Sequence, residues 1–185
     1  LQMRDQSGAP LSEVVAILTR DNMPAVEPRD EIINQIGETF VPRVSVIPVG
    51  SSVNFPNQDQ ILHHLYSFSA PKTFEVPLYA GTPAEPVIFD QPGLVILGCN
   101  IHDWMQAWVL VTTSPWAGKT AEDGGVRIDN LEPGAYQLEI WHPDQRRALD
   151  NQEIRIAGET RLQLSLETRP AINLRSVPRS GSGYF

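Results

Sequence analysis

The stretch Gly98-Cys-Asn-Ile-His-Asp-Trp-Met105 gathers side chains that can hold a soft metal. It contains the only cysteine of the chain, one of its four histidines and one of its three methionines. Cys99, His102 and Met105 fall at even spacing inside one short turn. A thiolate, an imidazole and a thioether that close together suit a metal that changes oxidation state. A second imidazole would complete the trigonal His, His, Cys plane, with a weak axial Met, of a type 1 copper site. Upstream, His63 and His64 offer it. Such a set tolerates both oxidation states of copper, so little rearrangement accompanies the passage of one electron.

Each of these residues has a plainer reading on its own. A lone cysteine is commonly an inert buried hydrophobe, and a methionine at the end of a loop commonly fills a gap. A histidine pair in a strand usually splits into one core and one surface residue. Order and spacing taken together carry the copper reading. A structural zinc site on the same residues is the weaker alternative, because a thioether is a poor zinc ligand.

The elements that must position these donors read as strands. Along Ile61–Phe68, Ile61, His63 and Leu65 share one face, while His64, Tyr66 and Phe68 share the other. His63 is therefore the preferred ligand and His64 the alternative. Leu94–Leu97 runs straight into Cys99, and Ala107–Thr112 leads away from Met105. Phe40–Ile47, Val53–Phe55, Phe74–Tyr79 and Val87–Phe89 are further short strands punctuated by Pro and Gly. Leu1–Thr19 reads as two strands around the turn Asp5-Gln-Ser-Gly8, and Arg20–Gly37 as a linker with a helical turn around Asp30–Ile36. Beyond Thr113, strands are expected at Val126–Ile128, Tyr136–Ile140, Ile154–Ile156 and Leu162–Leu166, and 169–185 as a loosely ordered tail. The expected fold class is all-β, a sandwich or barrel.

Bulk properties narrow the function classes. With 185 residues, 41% of them hydrophobic and 19% charged, the chain can build a substantial core. A formal net charge of −8 argues against nucleic acid and anionic lipid as partners, and favours a basic protein patch. No apolar run approaches the length of a membrane span. One cysteine excludes an internal disulfide.

Cys99-x2-His102-x2-Met105 resembles the ligand loop of the amicyanin group of cupredoxins. Val53-Asn-Phe-Pro-Asn57-Gln-Asp59, followed by His63, is similar to the cupredoxin segment that supplies the first histidine. The resemblance covers roughly 40–112 and includes all four ligand types in the family's order. It extends to periplasmic cupredoxins of the methylamine-utilisation type. His64 stands where the family usually has Asn, and Asp103 and Trp104 replace the small apolar or proline residues common in such loops. The resemblance implies a Greek-key β-sandwich with one mononuclear type 1 copper held by His63, Cys99, His102 and Met105. It also implies one-electron transfer to a redox partner protein and a periplasmic location, reached through a signal peptide absent from this chain. No enzyme activity is expected. Copper storage or delivery is the alternative, and a metal-free β-sandwich interaction module is the alternative of another class.

A second resemblance covers the ends of the chain. Asp5-x2-Gly8-x-Pro10-Leu11, Lys119-Thr120 before Asp123-Gly124, and Leu131-Glu-Pro-Gly134-x-Tyr136 look like the turns of a carboxypeptidase regulatory-like β-sandwich. It implies a smaller second sandwich from 1–20 and 113–168, with the copper domain, 36–112, inserted into it. His142, with no second ligand near it in sequence, is expected to be structural.

Overall fold

The computed structural model describes residues 1–170; the expected tail lies outside the described residues from 171 onward. The described residues form strands, turns and bends, with no α-helix, and the chain is all-β. In chain order the strands are β1 (Gln2–Asp5), β2 (Val15–Thr19), β3 (Asp30–Ile32), β4 (Asn34–Gln35), β5 (Phe40–Val41), β6 (Val44–Pro48), β7 (Ser51–Asn54) and β8 (His63–Ser69). They continue with β9 (Lys72–Tyr79), β10 (Val87–Phe89), β11 (Gly93–Cys99), β12 (Gln106–Thr112), β13 (Trp116–Lys119), β14 (Gly134–Trp141), β15 (Gln152–Ile156) and β16 (Gln163–Leu166).

Two β-sandwiches share a wall. The first packs a five-stranded sheet, β6-β12-β11-β8-β9, against a three-stranded one, β10-β7-β3. Between them lies an apolar core that includes Phe55, Leu65, Phe89, Leu97, Cys99, Met105 and Val109. The second packs the four-stranded sheet β13-β2-β14-β15 against the parallel pair β1-β16. Its core includes Met3, Leu18, Trp116, Tyr136, Ile140 and Leu166.

A third apolar layer joins the two. Val15 and Ile17 of β2 meet Val44 of β6 and Leu110 of β12 there. Strand alternation explains why these strands are apolar without interruption. On β12, Ala107, Val109 and Val111 enter the first core, while Trp108 and Leu110 face the second sandwich. On β2, Ala16 and Leu18 enter the second core, while Val15 and Ile17 face the first sandwich. Arg43 adds a polar tie, paired with Glu13 at 3.1 Å and with Asp144 at 3.0 Å, its guanidinium 4.6 Å from the Trp108 ring.

The turn residues of the second sandwich carry visible duties. Asp5 Oδ1 accepts from the N–H of Ser7 (2.8 Å) and of Ala9 (3.0 Å), and Gly8 takes φ +88. Thr120 donates to the Leu11 carbonyl at 2.8 Å, and Tyr136 donates to the Glu132 carbonyl at 2.9 Å. Gly124, at φ +78, leaves no room for a Cβ, which would stand 2.4 Å from the Met3 carbonyl oxygen.

Several elements differ from the sequence reading. The expected linker instead contributes strands: β3 pairs in parallel with β7, and β4 pairs antiparallel with β5, burying Ile33 and Gln35. No helical turn forms at 30–36, because long-range pairing and burial of Ile33 outweigh local preference. Phe40–Ile47 is divided at Pro42, which has no N–H to give a ladder. Val126–Ile128 is not a strand; Val126 packs over Gly118, whose added Cβ would meet its Cγ2 at 2.8 Å. Strand β13, preceded by Pro115, sits at a sheet edge, and Gly118 within it leaves the room that Val126 occupies.

His142 is buried at the end of β14, where its Nδ1 accepts from the Asp144 N–H at 3.1 Å. Burial pushes its pKa down, aided by Arg43 and opposed by the carboxylates of Asp144 and Glu13 and by a backbone bond to Ser12. The unfolded chain therefore binds this proton more readily than the folded one. Stability is full above the ordinary histidine pKa of about 6.5 and is lost as pH falls below it toward the depressed folded value. In urea denaturation of the metal-free protein, the midpoint is expected to drop between pH 7.5 and pH 5. His142→Gln should flatten that slope; equal slopes in both proteins would remove His142 as its source.

Candidate metal centre

Cys99 ends β11, and the loop Asn100–Met105 returns the chain to β12. Its two flanking strands pair in antiparallel register, Gly98 opposite Gln106, so the loop is a closed hairpin end. Inside it the Met105 N–H donates to the His102 carbonyl at 3.0 Å, bending the loop back on itself. Strand β8 lies on the other side of β11, with Leu65 opposite Cys99. A bulge between His63 and Leu65 shifts the start of β8, and the Asn100 N–H donates to the His64 carbonyl at 3.1 Å. These pairings set one histidine of β8 beside the cysteine.

That histidine is His63. Its Nδ1 is 3.7 Å from Cys99 Sγ, and His102 Nδ1 is 3.9 Å from the same sulfur. One donor atom from each of the three residues falls within 4.8 Å of the others, and all three residues are buried. The two imidazole rings meet edge to face at 5.1 Å. Metal–thiolate and metal–imidazole bonds of about 2.3 and about 2.0 Å, opened to a trigonal angle, separate S and N by about 3.7 Å. The two observed sulfur–nitrogen separations lie close to that spacing, so the thiolate and both imidazoles stand near enough to share one first-row metal ion. Met105, 1% exposed, lies in the same core as Cys99. The four side chains are arranged as a type 1 copper site.

His64 lies on the opposite face, its Nε2 2.8 Å from Glu75 Oε1. Strand alternation separates the two histidines as the sequence reading expects. His102 is the donor nearest solvent at 9% exposure, against 3% for Cys99 and none for His63. The Trp104 ring leans on His102 at a centroid distance of 5.0 Å, and Ile101 beside it is exposed.

Asp59, which in the sequence reading is only the end of the segment before His63, has its Oδ2 2.8 Å from His63 Nε2. The four-residue spacing from Asp59 to His63 was the available signal. Asp59 also accepts from the backbone N–H groups of Gly37 (2.5 Å) and Glu38 (2.8 Å). Burial alone would raise its pKa, but those N–H groups and His63 hold the carboxyl below its ordinary value. Tyr79, opposite His63 in the sheet, donates to the Phe55 carbonyl at 2.8 Å. Burial, with a contribution from Cys99, pushes its pKa up to about 12, against a lowering by Gln35.

No protein-family profile matches the chain. No curated protein matches it either. Among solved structures, a copper-containing nitrite reductase from Thermus scotoductus is similar at 26% identity and a TM-score of 0.42. The match covers 51% of this chain and 25% of that one, so the chain spans about a quarter of the reductase. A purple cupredoxin from Nitrosopumilus maritimus is similar at 22% identity over 44% of this chain and 98% of that one, with a TM-score of 0.39. An oxidised variant of amicyanin is similar at 15% identity over 44% of this chain and 80% of its own, with a TM-score of 0.39.

Proposed function

We propose that this chain is a type 1 copper protein that passes single electrons between redox partners, with His63, Cys99 and His102 as strong ligands and Met105 as the weak axial one. The observation that carries this reading is the convergence of a thiolate and two imidazole nitrogens within 4.8 Å, all buried, on a loop that ends at a buried methionine. Copper bound there would supply the one-electron chemistry by alternating between Cu(I) and Cu(II). The protein's part is to hold the donors at fixed separations on two hydrogen-bonded strands, so that neither state forces a rearrangement. His102, at the protein edge, is the natural exit for the electron, and His63 is sealed inside. A net charge of −8 suits a partner with a basic docking patch, and a periplasmic setting belongs to the same reading. No chemical step on a substrate is assigned to the chain.

The second sandwich is read as a regulatory-like module that presents the copper unit. Its sheet draws β2 from before that unit and β13, β14 and β15 from after it, which supports the inserted arrangement. Storage or delivery of copper is the second reading. The burial of His63 and Cys99 favours a retained ion over an exchangeable one.

Titration of the metal-free protein with Cu(II) is expected to give an intense visible thiolate-to-copper band that saturates at one equivalent and persists after gel filtration. A colourless product would leave a metal-free β-sandwich interaction protein. A band that a mild chelator removes rapidly would move the assignment to delivery.

A further inference from the structure

We propose that Asp59 is the positioning residue of this centre: its carboxylate keeps the His63 proton on Nε2, leaves Nδ1 bare toward Cys99, and by its charge favours oxidised over reduced copper. The inference rests on the copper reading above and goes beyond its ligand set. His63 is completely buried, and both its nitrogens have a partner: Nε2 stands 2.8 Å from Asp59 Oδ2 and Nδ1 stands 3.7 Å from Cys99 Sγ. A ligating nitrogen must carry no proton, so the other nitrogen must carry it. A carboxylate accepts but does not donate, and thus selects that tautomer. Its negative charge also makes the imidazole a stronger donor, which stabilises the more highly charged metal state.

Asp59 is itself held from three sides. The β4–β5 hairpin turns at Gly37 and Glu38, both left-handed at φ +59 and +57, which aims their N–H groups at the two carboxylate oxygens. The Asp59 N–H donates to Asn57 Oδ1 at 3.0 Å. Asn57 Nδ2 in turn donates to the carbonyls of Ile61 at 2.8 Å and Tyr79 at 2.9 Å. The carboxylate is therefore fixed by two backbone N–H groups of the hairpin, and its main chain by the anchored Asn57 side chain. This gives the segment before β5 a second duty beyond filling the core. It supplies the turn that orients the residue that orients the ligand.

Two variants separate geometry from charge. Asp59→Asn keeps the shape and an acceptor oxygen but removes the charge; Asp59→Ala removes both. In the metal-free protein, nitrogen-15 NMR of His63 is expected to show the Nε2–H tautomer in wild type and a mixture in Asp59→Ala. In the copper-loaded protein, Asp59→Asn is expected to weaken Cu(II) relative to Cu(I) by about tenfold, an upward potential shift of about 59 mV. Asp129→Asn, on the second sandwich, removes the same charge at an exposed site and should leave the potential in place. An Nδ1–H tautomer in wild type, or an Asp59→Asn potential equal to that of wild type, overturns the proposal. If Asp59→Ala fails to fold, wild type and Asp59→Asn still decide it. Wild-type protein that takes up no copper overturns the copper reading and with it the effect on potential. The tautomer measured without metal then still decides the positioning.

Discussion

Cys99→Ser is expected to abolish the visible band and the retention of copper while leaving both sandwiches folded. The sulfur is the hub of the site, with Nδ1 of His63 at 3.7 Å and Nδ1 of His102 at 3.9 Å. Serine keeps the shape but offers a hard hydroxyl that stays protonated near neutral pH. The charge-transfer transition that needs a thiolate then has no source, and two imidazoles with a thioether hold copper weakly. Cys99 is 3% exposed within the first core, so the buried hydroxyl also costs stability, about 1–3 kcal/mol in the metal-free protein. Melting the metal-free variant in parallel separates that cost from loss of the metal. A second readout follows from linkage. Copper at a hundredfold excess over its Kd stabilises the wild-type fold by about 2.7 kcal/mol, and the variant should show no copper-dependent shift. A band retained in Cys99→Ser, or copper stabilising both proteins equally, would remove the thiolate from the centre.

The ligand loop was legible in the sequence because its three donors are local: hairpin geometry alone brings Cys99, His102 and Met105 into one turn. His63 was legible through alternation along β8, with His64 turned toward Glu75 on the outer face. Asp59 was not, since its orientation depends on hairpin residues 21 and 22 positions earlier in the chain. The first strand of that hairpin, β4, lies in the stretch read as a linker, where pairing of β4 with β5 and of β3 with the distant β7 makes strands. The uninterrupted apolar runs of β2 and β12 carried information that alternation alone does not express. Both strands are buried on two faces, because the sandwiches share a wall.

That shared wall predicts how the molecule unfolds. Leu110, 6% exposed, projects from β12 against Val15, Ile17 and Val44, while its neighbours Val109 and Val111 enter the copper-site core. Leu110→Ala is expected to destabilise the protein by about 2–5 kcal/mol, through lost burial and the cavity left between the sandwiches. At roughly 2–4 °C per kcal/mol for a unit of this size, the melting temperature should fall by about 4–20 °C. The copper band should not change, because the substituted side chain faces away from the ligands. Coupling is the sharper test. If the apolar wall makes one cooperative unit, thermal loss of the copper band and of the far-ultraviolet β signal will coincide in wild type and shift together in the variant. Inter-domain contacts that are small and polar leave domains free to melt separately, whereas this one is apolar and tied by the pairing of Arg43 with Glu13 and Asp144. Two resolved transitions in wild type, with Leu110→Ala moving only one of them, would show the wall to be a passive contact. The second sandwich would then carry the copper unit without stabilising it.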